Sequence, residues 1–154
     1  MSRTVKRLLS ELSDFDRQTG AASDGVLRLA PVSDDDMLTW HAIIAGPHST
    51  PFEATELVLD IVVPALYPAH PPSISFRPGV VFHPNVNLGT GEICLDVLKA
   101  EWSPVWTLAA SCRAVQALLA APEPSSPLNV DAANLLRDGD MLAYQDLVNL
   151  HLPR

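Results

Sequence analysis

The first residues of the chain carry apolar side chains at helical spacing. Val5, Leu8, Leu9 and Leu12 fall at positions i, i+3, i+4 and i+7, which places them on one stripe of a helix. A small polar stretch that begins at Gly20 then interrupts the pattern. The sequence therefore predicts an amphipathic helix at the start of the chain, ended by this stretch.

Three runs of strand-like residues follow, at 26–30, 37–44 and 55–63, and a shorter one at 73–76 is a candidate fourth strand. The acidic run 34–36 between the first two is typical of a turn. Because the connections are too short for crossover helices, the strands are predicted to form an antiparallel meander.

The composition of the chain changes after residue 63, where prolines become frequent and regular structure is expected to be scarce. The prolines of this segment are Pro64, Pro68, Pro71, Pro72, Pro78, Pro84 and Pro104. A helical pattern returns after Thr107, a candidate N-cap, and stops before Pro122. Two shorter helices are predicted near 131–136 and 140–151. This order of elements predicts a single α+β domain over residues 1–154.

Composition and charge argue against several classes of function. The 154 residues are 47% hydrophobic and carry a formal charge of −8, which argues against a protein that tracks nucleic-acid phosphates. No apolar run approaches the roughly 18 residues of a membrane span, and the first residues lack the apolar segment of a secretory signal. The two cysteines, Cys94 and Cys112, have no metal-type spacing, so no metal site is predicted. We therefore expect a cytoplasmic protein.

Candidate chemistry is concentrated in residues 83–108. Cys94 follows a glycine-rich turn that can bring backbone close to a reacting atom. Asn85 precedes it and carries an amide that can donate to a developing negative oxygen. A lone cysteine is as often a buried core residue as a nucleophile, so these residues alone leave both readings open.

Three motifs in a fixed order resemble the catalytic core of the ubiquitin-conjugating enzymes. They are the tripeptide HPN at 83–85, the cysteine in ICLD at 93–96 and the tripeptide WSP at 102–104. The YPAHPP turn at 67–72 is also similar to a turn of that family. The closing segment 126–137 is similar to the peroxisomal members, which serve the peroxisomal protein-import machinery. Each tripeptide alone is a weak signal, but their order is specific.

The resemblance implies the ubiquitin-conjugating core fold: an N-terminal helix, a four-stranded meander, a Pro-rich active-site segment and C-terminal helices. It implies that Cys94 accepts ubiquitin as a thioester from an activating enzyme and passes it, with a RING-type ligase, to a protein substrate. For a peroxisomal member that substrate is the import receptor. No cofactor is implied, since ATP is used by the upstream activating enzyme.

The resemblance also assigns roles around the cysteine. Asn85 is a candidate oxyanion donor, or it holds its loop through bonds to backbone, and both roles can coexist. His83 is read as a loop-organising residue rather than a general base. The remaining residues expected to support the active site are Pro84, Asp96, Ser125 and Ser126.

Two features of the chain depart from the family. Ser125 and Ser126 stand where many members carry an acid that positions or deprotonates an incoming lysine, and a hydroxyl cannot act as a base near neutral pH. A thiol acceptor deprotonates more readily than an ammonium, so we hypothesise that it suffers less from this change. Ala69 stands where a phenylalanine commonly grips RING ligases, which removes an aromatic anchor.

The expected partner contacts lie on both sides of the active site. Arg3, Lys6 and Arg7 either meet an acidic face of the activating enzyme or form a solvated face. Ligase contact is assigned to Ala69 and to a loop that contains Ser103, Pro104 and Val105. Peroxisomal members are held at the membrane by a dedicated anchor protein, so we expect recruitment to the cytosolic face of the peroxisomal membrane.

Other readings remain at this stage. A carrier for another cellular pathway or for a related ubiquitin-like modifier has the same motifs. A non-catalytic ubiquitin-binding variant of the fold lacks the cysteine, so Cys94 argues against it. A cysteine protease needs a Cys–His pair, and no histidine and acid are evidently placed for one.

Overall fold

The structure, a computed structural model, describes residues 1–18 and 25–153. Helix α1 (Arg3–Gln18) leads into strands β1 (Val26–Ser33), β2 (Asp36–Ala45), β3 (Glu56–Val62) and β4 (Ser73–Phe76). A 3-10 turn (Asp96–Leu98) precedes helices α2 (Leu108–Ala120), α3 (Val130–Arg137) and α4 (Met141–His151). The α+β class is confirmed, while the proposed stop at Gly20 lies outside the described residues.

The four strands form one antiparallel sheet in the order β1-β2-β3-β4, which confirms the predicted meander. Alternate residues of the central strands are buried, as the period of two requires for a sheet with one covered face. Trp40 on β2 lies opposite Ile61 on β3, and both are fully buried. The covered face packs against α2, with Leu108, Cys112 and Val115 fully buried in the same core.

Two element boundaries differ from the sequence prediction. Strand β1 continues through Pro31 to Ser33, which an edge strand tolerates because its outer backbone groups need no partner. Asp36 belongs to β2 rather than to the turn. Its carboxylate accepts hydrogen bonds from the Leu38 amide and the Thr39 hydroxyl, which lower the pKa of Asp36.

The start of α2 follows the prediction. Thr107 is the N-cap, and its hydroxyl accepts a hydrogen bond from the Ala110 amide at 3.0 Å. The helix ends at Ala120, two residues before Pro122. In the ranges 1–18 and 25–153, no helix combines the length and apolar character required to cross a bilayer.

Candidate active site

The cysteine segment pairs with the HPN segment through a tight turn. The Gly91 amide donates to Asn87 and the Asn87 amide to Glu92, which closes the turn. Gly91 has a φ of +80°, and a Cβ there would lie 1.9 Å from the Phe76 carbonyl oxygen, so no side chain fits. The turn delivers Cys94 beside Asn85, whose carbonyl accepts from the Cys94 amide at 2.9 Å.

Cys94 is partly buried and lines a cavity of about 290 Å³. The cavity brings together five of the residues singled out from the sequence, which are Cys94, Asn85, Asp96, Ser125 and Ser126. Leu95 and Leu118 supply apolar wall, and Glu123 adds a carboxylate. The other cysteine, Cys112, lies in the core beneath the sheet, where burial raises the pKa of its thiol to about 12. The two thiols are therefore in opposite environments.

His83 is fully buried and both ring nitrogens are used inside the chain. Its Nδ1 accepts from the Asn85 amide at 3.0 Å, so the proton resides on Nε2, which donates to the Leu118 carbonyl at 3.0 Å. Burial lowers the pKa of His83 to about 4, and the ring is neutral at physiological pH. This is the geometry of a loop-organising residue, because neither nitrogen is directed at an incoming nucleophile.

The Asn85 side chain binds the backbone of the loop that follows α2. Its Nδ2 donates to the Glu123 carbonyl at 2.7 Å, and its Oδ1 accepts from the Glu123 amide at 2.8 Å. The pair of bonds holds that loop against the cysteine. An amide nitrogen carries two hydrogens, so the bond to Glu123 is compatible with donation to an oxyanion by the second. The oxyanion role stays a prediction.

Pro84 ties a further element to the same place. Its carbonyl accepts from the amides of Leu128 at 2.8 Å and Asn129 at 3.1 Å. Asn129 is also the N-cap of α3. The tripeptide HPN therefore connects the end of α2, the loop after it and the start of α3.

The loop after α2 contains an acid that the sequence analysis missed. Glu123 lines the cavity, and its carboxylate accepts from the Ser125 hydroxyl at 2.5 Å and from the Ser125 amide at 3.3 Å. The Ser125 hydroxyl lowers the pKa of Glu123, so the group is a carboxylate at neutral pH. The available signal was its place between Pro122 and Pro124, in the loop that also carries the two serines.

Within residues 1–18 and 25–153, no three histidine, cysteine or acidic side chains cluster as metal ligands do. The cavity presents a thiol, an amide, hydroxyls and carboxylates, which suit acyl transfer through sulfur.

Comparison with known families identifies the family of the chain. A family model described as ubiquitin-conjugating enzyme matches residues 7–151. The chain belongs to the ubiquitin-conjugating enzyme family. It is therefore a transferase of the kind that works through a cysteine thioester.

Individual relatives confirm the similarity to peroxisomal members of the family. Ubiquitin-conjugating enzyme E2 16 of Schizosaccharomyces pombe is 49% identical over 96% of this chain and 90% of its own. Protein PEROXIN-4 of Arabidopsis thaliana is 43% identical over 98% and 94%. The crystal structure of H. polymorpha Pex4p, in complex with the soluble domain of Pex22p, has a TM-score of 0.90 and 39% identity over 98% and 97%.

In this ubiquitin-conjugating enzyme, the residues assigned to partner contacts divide into two groups. Arg3 and Lys6 are exposed on α1, whereas Arg7 is engaged inside the chain. The Arg7 guanidinium donates to the carbonyls of Pro104 and Trp106, each at 2.9 Å, and its Nε donates to Glu11 at 2.8 Å. Arg7 thus joins α1 to the WSP loop, which differs from the free basic surface that the sequence suggested.

The proposed ligase-contact residues lie on two segments that one hydrogen bond joins. The Trp102 indole donates to the Pro68 carbonyl at 2.8 Å, which holds the WSP loop beside the turn that carries Ala69. Ala69, Pro104 and Val105 are exposed and Ser103 is partly exposed. Val105 is the most prominent apolar side chain among them, with 82% of its surface exposed.

A buried carboxylate at the base of this surface was also missed. Glu11 is 8% exposed and accepts from the Leu108 amide at 2.7 Å, the Tyr67 hydroxyl at 2.6 Å and Arg7. Burial, and then the contact with Glu11, raise the pKa of Tyr67. The spacing of Arg7 and Glu11 at i and i+4 predicts an ion pair, but the other partners come from distant segments.

Proposed function

We propose that Cys94 accepts ubiquitin as a thioester from the activating enzyme and, with a RING-type ligase, transfers it to a protein substrate. The carrying observation is the placement of this thiol at a cavity, partly exposed, while Cys112 is buried in the core. Sulfur is both a good nucleophile and a good leaving group, so neither half of the cycle needs a metal or an organic cofactor.

The loading step exchanges one thioester for another. The Cys94 thiolate forms a bond to the ubiquitin C-terminal carbonyl carbon, and the electron pair of the breaking C–S bond leaves on the sulfur of the activating enzyme. ATP is consumed earlier, in that enzyme. The exposed bases Arg3 and Lys6 support an electrostatic contact with an acidic face of the activating enzyme.

The discharge step passes through a tetrahedral oxyanion. Asn85 lines the same cavity as Cys94 and is the proposed donor to this oxyanion, and one such donor is typically worth about 3 kcal/mol in the transition state. The ligase is proposed to engage Ala69, Ser103, Pro104 and Val105, with apolar contact supplied by Val105 in place of an aromatic residue at 69.

Loading can be tested with purified components. Incubation with activating enzyme, ATP and ubiquitin should give a conjugate that thiol reductant removes. Cys94→Ser should give a reductant-resistant ester and Cys94→Ala no conjugate. Cys112→Ala is the matched control and should load like the unmodified enzyme. A conjugate that survives in Cys94→Ala would refute the proposal.

We further propose that a docking protein recruits the enzyme to the cytosolic face of the peroxisomal membrane, where the import receptor is its substrate. This rests on similarity to PEROXIN-4 and to Pex4p, whose structure was determined with the soluble domain of Pex22p. The test is reconstitution of receptor modification with the cognate peroxisomal RING ligase, with and without the anchor's soluble domain. No receptor modification in the complete mixture would contradict it.

A further inference from the structure

Glu123 is an exposed residue of the loop after α2, and it lines the cavity that contains the reactive thiol. Its own backbone amide and carbonyl are both bonded to the Asn85 side chain, at 2.8 and 2.7 Å. Its side chain is held separately, through two hydrogen bonds from Ser125 to Oε1. Backbone and side chain are therefore bonded to different partners, and the backbone bonds to Asn85 hold the residue at the cavity that contains Cys94.

The charge in this cavity has one sign. Among the described residues that line it, the charged side chains are the carboxylates of Glu123 and Asp96. Lys99, five residues after Cys94, faces Glu92 at 3.7 Å and lines a different cavity. An incoming nucleophile thus approaches the thioester through a region of negative potential.

We propose that Glu123 binds and orients the ammonium group of an incoming lysine beside the Cys94 thioester, in place of the acid that Ser125 and Ser126 do not supply. The inference rests on the proposed function of Cys94. Ser125 then has a role of its own, since its hydroxyl donates to the Glu123 carboxylate.

The chemistry assigns Glu123 an electrostatic role. The ammonium loses one proton to water, and the amine nitrogen forms a bond to the ubiquitin carbonyl carbon while the C–S bond to Cys94 breaks. The electron pair leaves on sulfur, which takes up the second nitrogen proton. The lowered pKa of Glu123 makes it a weak base, so it concentrates and orients the cation rather than removing its proton.

The same carboxylate has the opposite effect on an anionic nucleophile. A thiolate is repelled where an ammonium is attracted, and a neutral nucleophile is affected by neither force. The competing hypothesis, that this site favours thiol acceptors because it lacks an acid, makes no such prediction for Glu123. The direction in which each discharge rate changes when the charge of Glu123 is removed distinguishes the two hypotheses.

The experiment loads Cys94 with ubiquitin, stops the activating enzyme, and follows discharge to three small nucleophiles. These are n-butylamine, a cation; hydroxylamine, which is neutral near pH 7; and β-mercaptoethanol, which reacts as its thiolate. Glu123→Gln retains the backbone bonds to Asn85. Glu101→Gln is the matched control, an exposed acid that does not line the cavity.

Glu123→Gln should slow discharge to butylamine roughly fivefold, the factor for one unit charge at about 4 Å in water. It should leave hydroxylamine unchanged and accelerate β-mercaptoethanol. In the unmodified enzyme, added salt should reduce the butylamine rate towards that of the variant. The variant's rate should respond less to salt, because Asp96 is then the remaining carboxylate of the cavity. Glu101→Gln should behave like the unmodified enzyme.

Equal slowing of all three nucleophiles would overturn the proposal, because it would mean that the substitution disturbs the loop. An unchanged butylamine rate would overturn it as well. Failure of the unmodified enzyme to load on Cys94 is a separate observation, which overturns the proposed function and this inference with it. A loaded enzyme that is insensitive to the charge at position 123 overturns this inference alone.

Discussion

The two ends of α2 are anchored by buried side chains of opposite character. At its first residue, the Leu108 amide donates to the Glu11 carboxylate, which also binds Arg7 and Tyr67. Near its last turn, the Leu118 carbonyl accepts from the neutral ring of His83. The first anchor is a carboxylate that is paired with Arg7 and lies below the proposed ligase surface. The second is an uncharged imidazole that lies below the cysteine.

This difference matches the demands at each end. A carboxylate is compatible with a helix N-terminus, where the free amides and the macrodipole favour negative charge. A neutral imidazole beside the cavity adds no charge near the thioester, so the local potential is left to Asp96 and Glu123. Stability should therefore fall most when the Glu11 side chain is removed from the charged end. At the neutral end, where His83 lies, stability should depend more on pH.

Removal of the Glu11 side chain should produce the largest loss of stability. Glu11→Ala leaves the Leu108 amide and the Tyr67 hydroxyl without their acceptor and Arg7 without its counter-charge. Breaking such a buried network typically costs about 3–5 kcal/mol. Urea denaturation measures the free energy of unfolding, and Glu101→Ala should change it by no more than about 0.5 kcal/mol. A loss below about 1 kcal/mol would mean that Glu11 does not anchor this end of α2.

Lowering the pH should reduce the stability that His83 contributes at the neutral end of α2. His83 has a folded pKa of about 4 against an ordinary value of 6.5, so the unfolded chain binds the proton first as pH falls. Its contribution is complete above pH 6.5 and declines between pH 6.5 and 4, by on the order of 3 kcal/mol. The free energy of unfolding, measured across this pH range, should decline less steeply in His83→Gln than in the unmodified enzyme. The exposed His70→Gln is the control and should keep the full slope.

Asn85→Ala should have an intermediate effect at the same end. It removes two hydrogen bonds to the Glu123 backbone, for an expected loss of about 2 kcal/mol. Because Asn85 does not titrate, the acid slope of stability should be that of the unmodified enzyme. A changed slope would mean that His83 depends on Asn85 for its buried position.

The smallest effect is expected at the N-cap on the charged end. Thr107→Ala removes the bond to the Ala110 amide and should cost about 1 kcal/mol, while Thr107→Ser keeps the oxygen and should cost less. If Thr107→Ala costs as much as Glu11→Ala, the helix end depends on its local cap rather than on the distant carboxylate.

Sequence pattern predicted the elements of the fold but not the polar contacts that place the site. The meander and Thr107 follow from local periodicity and capping chemistry, which need no knowledge of distant residues. Two of the three partners of Glu11 lie 56 and 97 positions away, and Asn85 meets Glu123 across 38. Such contacts depend on how loops approach in three dimensions, so Glu11 and Glu123 looked like ordinary polar residues in the sequence.

The motif residues were easier to find than their bonding. The HPN, cysteine and WSP positions identify themselves by type and order, and the first two lie at or beside the cavity. The resemblance to the first helix of the family assigned Arg7 to contact with the activating enzyme, with a solvated face as the alternative. Its bonds to the WSP loop depend on the angle between α1 and that loop, which no local pattern encodes.

The contrast between the two thiols has a practical consequence for chemical biology. Alkylating reagents react with accessible thiolates, and Cys112 offers neither accessibility nor a thiolate, because burial raises its pKa to about 12. A fluorophore, crosslinker or disulfide-linked ubiquitin mimic can therefore be attached to Cys94 in the unmodified chain. The natural sequence already provides single-position labelling without prior removal of the second cysteine.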